Sequence, residues 1–249
     1  MKKVCVLIPM YKPVLNEYEK VSLAQMKKVL HKHPVKIVAP NSLHLSSKEL
    51  ELEKFSIERF EDSFFSGIQG YNRLMLSSEF YQRFLEYEYI LIYQLDAFVF
   101  RDELEYWCNQ NYDYIGAPWI CFSWYEQKDI MTRFHRILKK FGITNKSIVG
   151  NGGFSLRKIS RFYLYAKIFR KIAVSWPYNE DMFWGLGMTF LGNFFKVPEL
   201  KTALKFSFEG CPSKAYEENN YNLPFGCHAW EKYDISFWRP FFKSEGYMI

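Results

Sequence analysis

Gln94 and Asp96 lie inside Tyr89-Ile-Leu-Ile-Tyr-Gln-Leu-Asp-Ala-Phe-Val-Phe100, a run otherwise apolar or aromatic. Too short to cross a membrane, it reads as a strand buried on both faces. Alternation along that strand puts Gln94 and Asp96 on one face near its C-terminal end. A buried carboxylate without a partner is costly, so Asp96 needs backbone donors, a basic side chain or a metal ion. Strand C-terminal ends in open α/β sheets are where ligands bind, which points to a cation-assisted phosphate site. Three later groups could join it: the turn Gly150-Asn-Gly-Gly153, the adjacent acids Glu180 and Asp181, and His228. Each also has an ordinary structural use, as a turn, a helix N-terminus capped by Asn179, and a hydrogen-bonded core histidine.

The elements that must position these groups alternate between strand and helix. Val4–Ile8 reads as a first strand and Pro9–Pro13 as a turn carrying an aromatic and a base. Asn16 caps a helix to about His31, in which Leu15, Val21, Leu23, Met26 and Leu30 form the apolar stripe. Val35–Ala39 and Ser56–Phe60 are the next strands, with a short helix between them begun by a Ser46/Glu49 capping box. A helix from Ser66 to about Phe84 precedes the Tyr89 strand. This order predicts a sheet that is parallel in its first half. Arg101–Cys108 reads as a helix and Tyr112–Trp119 as a strand. Cys121–Val149 contains a basic amphipathic helix, and Ser160–Ala173 forms a second basic one. Phe194–Val197 and Ala203–Phe208 read as short strands.

Composition narrows the classes. At 249 residues, with no repeat or low-complexity linker, the chain suits one domain, 1–249. Residues 1–100 would be its nucleotide-binding half and 101–249 its acceptor-binding half, with a basic helical insertion at about 121–149. No stretch is long and apolar enough to span a bilayer. The N-terminus reads as a strand and not as a signal peptide, because Pro9 ends its apolar segment. The five cysteines show no CxxC spacing, so neither a zinc site nor a disulfide framework is signalled, and a reducing, cytoplasmic compartment is expected. A formal charge of +6 suits anionic small molecules or an anionic membrane surface and gives no ground for nucleic acid. Aromatic residues make up 20% of the chain, which makes sugar-stacking platforms worth testing. The first strand–helix junction has neither GxGxxG nor GxxxxGK[ST], which excludes a Rossmann dinucleotide site and a P-loop.

The order Gln94/Asp96, Gly150–Gly153, Glu180/Asp181, His228 resembles that of GT-A-fold glycosyltransferases, among them the fringe-like and core-1 galactosyltransferase-like branches. Tyr-Gln-Leu-Asp-Ala-Phe-Val-Phe, Tyr-Ile-Gly-Ala-Pro-Trp, Gly-Asn-Gly-Gly-Phe-Ser-Leu-Arg and Asn-Glu-Asp-Met-Phe-Trp are similar to a little-characterised bacterial glycosyltransferase-like family, over about residues 55–232. The resemblance implies an α/β GT-A-like fold with a central mixed, mostly parallel sheet. It implies transfer of a sugar from a nucleotide-diphosphate donor such as a UDP-sugar to a hydroxyl of a glycan or lipid-linked glycan, with inversion. The setting it implies is bacterial surface polysaccharide or glycolipid synthesis, in the cytoplasm or at the inner face of the plasma membrane. Asp96 then matches the second acid of an Asp-x-Asp metal motif, and Gln94 stands where its first acid would be. Asp96 and His228 would hold Mn²⁺ or Mg²⁺ with substrate phosphates, the histidine favouring Mn²⁺. Asp181 would be the general base, with Glu180 the alternative. Gly152 and Gly153 would let substrate approach the backbone, and Trp119, Trp184 and Trp230 would be sugar platforms. Pro9, Tyr11 and Arg73 would lie with Gln94 and Asp96 toward the nucleotide.

Two other readings share these residues. A non-catalytic carbohydrate- or nucleotide-sugar-binding protein would explain Gln94. A nucleotidyltransferase would want a second metal-binding acid, which is not evident near Asp96.

Overall fold

The computed structural model describes residues 1–45, 54–120 and 149–249. The Ser46/Glu49 capping box and the basic helix of the 121–149 insertion lie outside the described residues. In chain order, the first elements are β1 (Lys2–Pro9), α1 (Glu17–Val29), β2 (Val35–Pro40), β3 (Ser56–Phe60), α2 (Gly67–Leu76), α3 (Ser78–Gln82) and β4 (Tyr87–Tyr93). Then come β5 (Phe98–Val99), α4 (Leu104–Asn109), β6 (Tyr114–Ile115), β7 (Phe154–Lys158), α5 (Ile159–Ile168), α6 (Arg170–Val174) and α7 (Glu180–Gly185). The chain ends with α8 (Leu200–Phe206), β8 (Ser207–Phe208), α9 (Pro212–Glu218), β9 (Gly226–Cys227) and α10 (Ile235–Ser244).

The main sheet runs β3-β2-β1-β4-β7-β6; its first four strands are parallel, β7 runs antiparallel to β4, and β6 runs antiparallel to β7. Both faces are buried, as the apolar run around Tyr89 predicts. Cys5, Leu7, Ile90 and Ile92 join one core, while Val4, Val6, Ile8, Tyr89, Leu91 and Tyr93 join the other. Asn16 caps α1 in a full capping box with Glu19.

A second sheet, β5-β9-β8, is covered by α10, where Phe98 stacks on Phe242 with ring centroids 4.0 Å apart. The Tyr89–Phe100 run is therefore two strands and a turn. β4 stops at Tyr93, the Ala97 N–H donates to the Gln94 C=O at 2.9 Å, and β5 starts in the other sheet. An unbroken apolar run hid that break, because both sheets bury their strands.

Other expectations change for similar reasons. The helix from Ser66 splits at Ser77, whose side chain caps α3. Most of Ala203–Phe208 is the end of α8, leaving two residues for β8, and Phe194–Val197 is in no strand. Cys211 takes part in a disulfide, whereas Cys5, Cys108 and Cys227 are free and buried. Pairing depends on proximity in the fold and not on sequence spacing, so the argument from spacing for a reducing compartment loses its footing. Among the described residues no helix is long and apolar enough to cross a membrane.

Candidate active site

A cavity of about 660 Å³ opens where both sheets end. Gln94, Leu95 and Asp96 enter it from the turn after β4, Asn151–Gly153 from the turn before β7, and Asn179–Asp181 from the start of α7. The small sheet supplies the rest. Parallel pairing of β8 with β9 brings Glu209 and His228 out side by side, and the His228 N–H donates to the Phe208 C=O at 3.0 Å. Antiparallel pairing of β5 with β9, with Phe98 opposite Cys227, brings His228 to the turn that carries Asp96.

His228 is almost fully buried and held from both sides. Its Nδ1 lies 3.2 Å from Glu209 Oε1, and its Nε2 lies 3.1 Å from Gln94 Oε1 and 3.0 Å from Asp96 Oδ1. Burial opposes its charge, but the Asp96 and Glu209 carboxylates outweigh that and push its pKa up to about 10. Burial works against the Asp96 charge too, yet the facing imidazolium keeps its carboxyl below the usual value. The Asp96 Oδ1 contact is an ion pair without hydrogen-bond alignment, so a buried oxygen keeps a free lone pair.

Among the described residues no three His, Cys, Asp or Glu side chains group so as to hold a metal ion. One carboxylate, one imidazole and one amide oxygen do converge, and these suit a cation that completes its shell from a diphosphate. His228 must shed a proton to serve as such a ligand.

The two adjacent acids separate clearly. Glu180 is buried, and the fully buried Arg157 donates from Nη2 to its Oε1 at 2.8 Å. The same guanidinium donates to the Gly152 C=O at 3.2 Å, to Ser155 Oγ at 3.0 Å and to the Tyr81 hydroxyl at 2.9 Å. Among the described residues Asp181 has no such cation. Its Oδ1 accepts the Met182 N–H at 2.7 Å, while burial, then the charges of Glu180 and Glu209, raise its pKa to about 7. Asn72 of α2 supplies the N-terminal cap of α7, accepting the Glu180 N–H at 3.2 Å, whereas the Asn179 side chain makes no capping bond.

The glycines serve the protein's own side chains. A Cβ on Gly152 would sit 1.8 Å from Glu180 Oε1, and one on Gly153 would sit 1.9 Å from His228 Nε2. Both glycines still line the cavity.

Of the aromatic candidates, Trp119 lines the cavity. Trp184 and Trp230 are fully buried, the first against Phe162 and Tyr81, the second against Tyr18 and Phe242, so neither is a sugar platform. Pro9 and Tyr11 line the cavity, but Arg73 does not and instead donates to the Ser63 C=O at 3.0 Å. Arg157, the last residue of the Gly-Asn-Gly-Gly-Phe-Ser-Leu-Arg motif, is the buried partner of Glu180.

Sequence reading missed Lys12, Tyr71, Asn72, Glu209, Glu231 and Lys232 as cavity residues. Lys232, one helical turn's distance after His228, is a cation whose charge reaches Asp96; only that spacing could have signalled it. Buried side-chain atoms without a hydrogen-bond partner gather on the wall: the Tyr71 hydroxyl, Asp96 Oδ1, Asn151 Nδ2 and Glu180 Oε2. Native proteins satisfy most such atoms, so this concentration marks a place for a polar ligand.

Comparison with solved structures identifies the fold as that of GT-A glycosyltransferases. The galactosyltransferase LgtC, in complex with donor and acceptor sugar analogues, superposes with a TM-score of 0.54 at 11% identity, over 97% of this chain and 94% of that one. Mouse xyloside xylosyltransferase 1 gives 0.54 at 13% identity, over 91% and 97%. Core-mannan synthase A from Aspergillus fumigatus, in its Mn/GDP form, gives 0.51 at 10% identity, over 76% and 70%. No curated protein sequence matches. The pattern of one family covers residues 54–228, more than half of the chain, and on that match the chain belongs to the family described as "Protein of unknown function (DUF5672)".

Proposed function

We propose that this protein is a glycosyltransferase that moves a sugar from a nucleotide-diphosphate donor to an acceptor hydroxyl, with Asp181 as general base. One observation carries the reading: Asp181 faces the cavity with a pKa raised to about 7 and no cation bound to it, while its neighbour Glu180 is committed to Arg157. A base titrating near neutrality accepts a proton efficiently at working pH. Asp181 takes the proton of the acceptor hydroxyl as that oxygen bonds to the anomeric carbon. The bond from that carbon to the diphosphate oxygen breaks, and the nucleoside diphosphate leaves with the electron pair. A single base acting opposite the leaving group inverts the anomeric centre.

His228 and Lys232, both in the cavity lining, would meet the charge that develops on the diphosphate, and Pro9, Tyr11 and Lys12, also in the lining, would meet the nucleotide. The unpartnered atoms of Tyr71, Asn151 and Glu180 suit sugar hydroxyls, and Trp119 is the remaining stacking platform. A divalent cation, when bound by Asp96 and His228, would neutralise the leaving group.

Turnover of UDP- and GDP-sugars by the purified protein with Mn²⁺ tests the base. Asp181→Asn should lower it by about 10²- to 10⁴-fold; equal turnover removes Asp181 from the chemistry. Calorimetric titration of UDP and GDP, with Mn²⁺ and with chelator, tests Asp96, and undiminished metal-dependent binding by Asp96→Asn would exclude it. Gln94 in the place of an acid favours one second reading, a nucleotide-sugar-binding protein. Binding without turnover across donors and acceptors would establish that instead.

A further inference from the structure

The solvent face of α5 and α6 combines exposed apolar residues with uncompensated positive charge. Leu164, Ile168 and Ile172 recur one turn apart and are 43%, 60% and 52% exposed. Their line is unbroken where the helices meet, because the Phe169 N–H donates to the Tyr165 C=O and the Ala173 N–H to the Phe169 C=O. Val174 and Phe194 are also largely exposed, and the Tyr165 hydroxyl holds Phe194 beside α5 by donating to its C=O at 2.8 Å. The opposite face buries Ile159, Phe162, Tyr165, Ala166 and Ala173, so the exposed stripe is not the core-facing one.

Lys167, Arg170 and Lys171 flank the stripe, and no acidic residue occurs between Lys158 and Asn179. Arg161 is excluded from this set because it faces Asp113 at 3.7 Å.

Charge selects the occupant. In the 121–148 segment Lys128, Arg133, Arg136, Lys139, Lys140 and Lys146 outnumber Glu126 and Asp129, so covering the stripe with it would bring cations against cations. A second copy presenting the same face meets the same repulsion. A surface offering anionic groups above an apolar layer satisfies both features at once. We infer that the α5–α6 face docks peripherally on an anionic membrane. α6 packs against α2, whose exposed Ile68 lines the cavity. The inference does not rest on the catalytic reading.

Co-sedimentation of the full chain with phosphatidylcholine vesicles, alone or mixed equally with phosphatidylglycerol, tests it. Binding is expected to the mixed vesicles and to weaken with salt. Lys167→Gln/Lys171→Gln should lower the partition coefficient about 25-fold, at roughly fivefold per charge. Ile168→Ser/Ile172→Ser should also lose binding, and both variants should keep the wild-type melting temperature because the side chains are exposed. Absence of binding, equal binding to neutral vesicles, or unchanged binding by either variant overturns the inference. A wild-type dimer that the isoleucine variant dissociates, without vesicle binding, overturns it too and makes the stripe a self-association face.

Discussion

Gly152 and Gly153 separate two charged clusters built on different logic. Beside Gly152, Arg157 and Glu180 form a buried pair in which each guanidinium nitrogen has a partner, and Glu180 Oε2 is left at the cavity wall. Beside Gly153, two carboxylates, Asp96 and Glu209, share one histidine, and a buried Asp96 oxygen stays without an aligned donor. The first cluster is balanced in charge and shaped like core. The second, at the cavity wall, sets two carboxylates against one imidazolium, with Lys232 a further cation whose charge reaches Asp96. Charge balance within the fold marks a structural pair, even though Glu180 Oε2 is left open to the cavity; a carboxylate pair sharing one histidine at the cavity marks a group that awaits a ligand.

The comparison predicts its largest effect at Arg157. Arg157→Met leaves Glu180 buried and uncompensated, which should cost about 3–5 kcal/mol. At about 2–4 °C per kcal/mol for a chain of this size, the melting temperature should fall by roughly 6–20 °C. Arg157→Met/Glu180→Leu removes both charges and should recover most of that loss. Asp96→Asn and Glu209→Gln should each move it less, because His228, left with one carboxylate, can shed its proton where Glu180 beside a lost Arg157 keeps a buried charge. If thermal unfolding ranks the Asp96 and Arg157 variants equally, the distinction between the clusters fails.

This division was only partly legible in the sequence. The strand–helix alternation, the parallel order and the capping of α1 follow from local periodicity and turn chemistry. The convergence of Gln94, Asp96, Asp181 and His228 in one cavity does not follow from periodicity; it is what the resemblance to GT-A glycosyltransferases implies. The Arg157–Glu180 pair was invisible because its members come from β7 and α7, 23 positions apart, and no local pattern joins them. Glu209 depends on the register of β8 and β9, two-residue strands with no periodicity to read. Trp184 and Trp230 show why aromatic content misleads: one ring chemistry serves packing and stacking alike, and only burial separates the two.

A smaller effect joins the clusters. The charges of Glu180 and Glu209 both raise the Asp181 pKa, so the acid of one cluster tunes a base beside the other. If Asp181 is the base, the rate should rise with pH and level off above about 7, with about a tenfold loss per unit below. Glu209→Gln should move that limb to lower pH. A limb that stays in place would show that Glu209 does not reach Asp181.

The smallest effect is on stability, and its sign is opposite to that of a salt-bridged acid. The folded pKa of Asp181, about 7, lies above its ordinary 3.8, so the folded state binds this proton more tightly than the unfolded state does. Asp181 therefore weakens the fold progressively as pH rises from about 4 to 7, and fully above 7. The bound set by the shift is about 4 kcal/mol; partial exposure reduces it to about 1–2 kcal/mol. Asp181→Asn keeps an oxygen to accept the Met182 N–H and removes the charge. Its melting temperature should exceed wild type by about 2–8 °C at pH 8 and match it near pH 4. A variant that melts below wild type at pH 8 would mean that the Asp181 carboxylate stabilises the fold, and the case for it as a strained, ligand-facing base would fall.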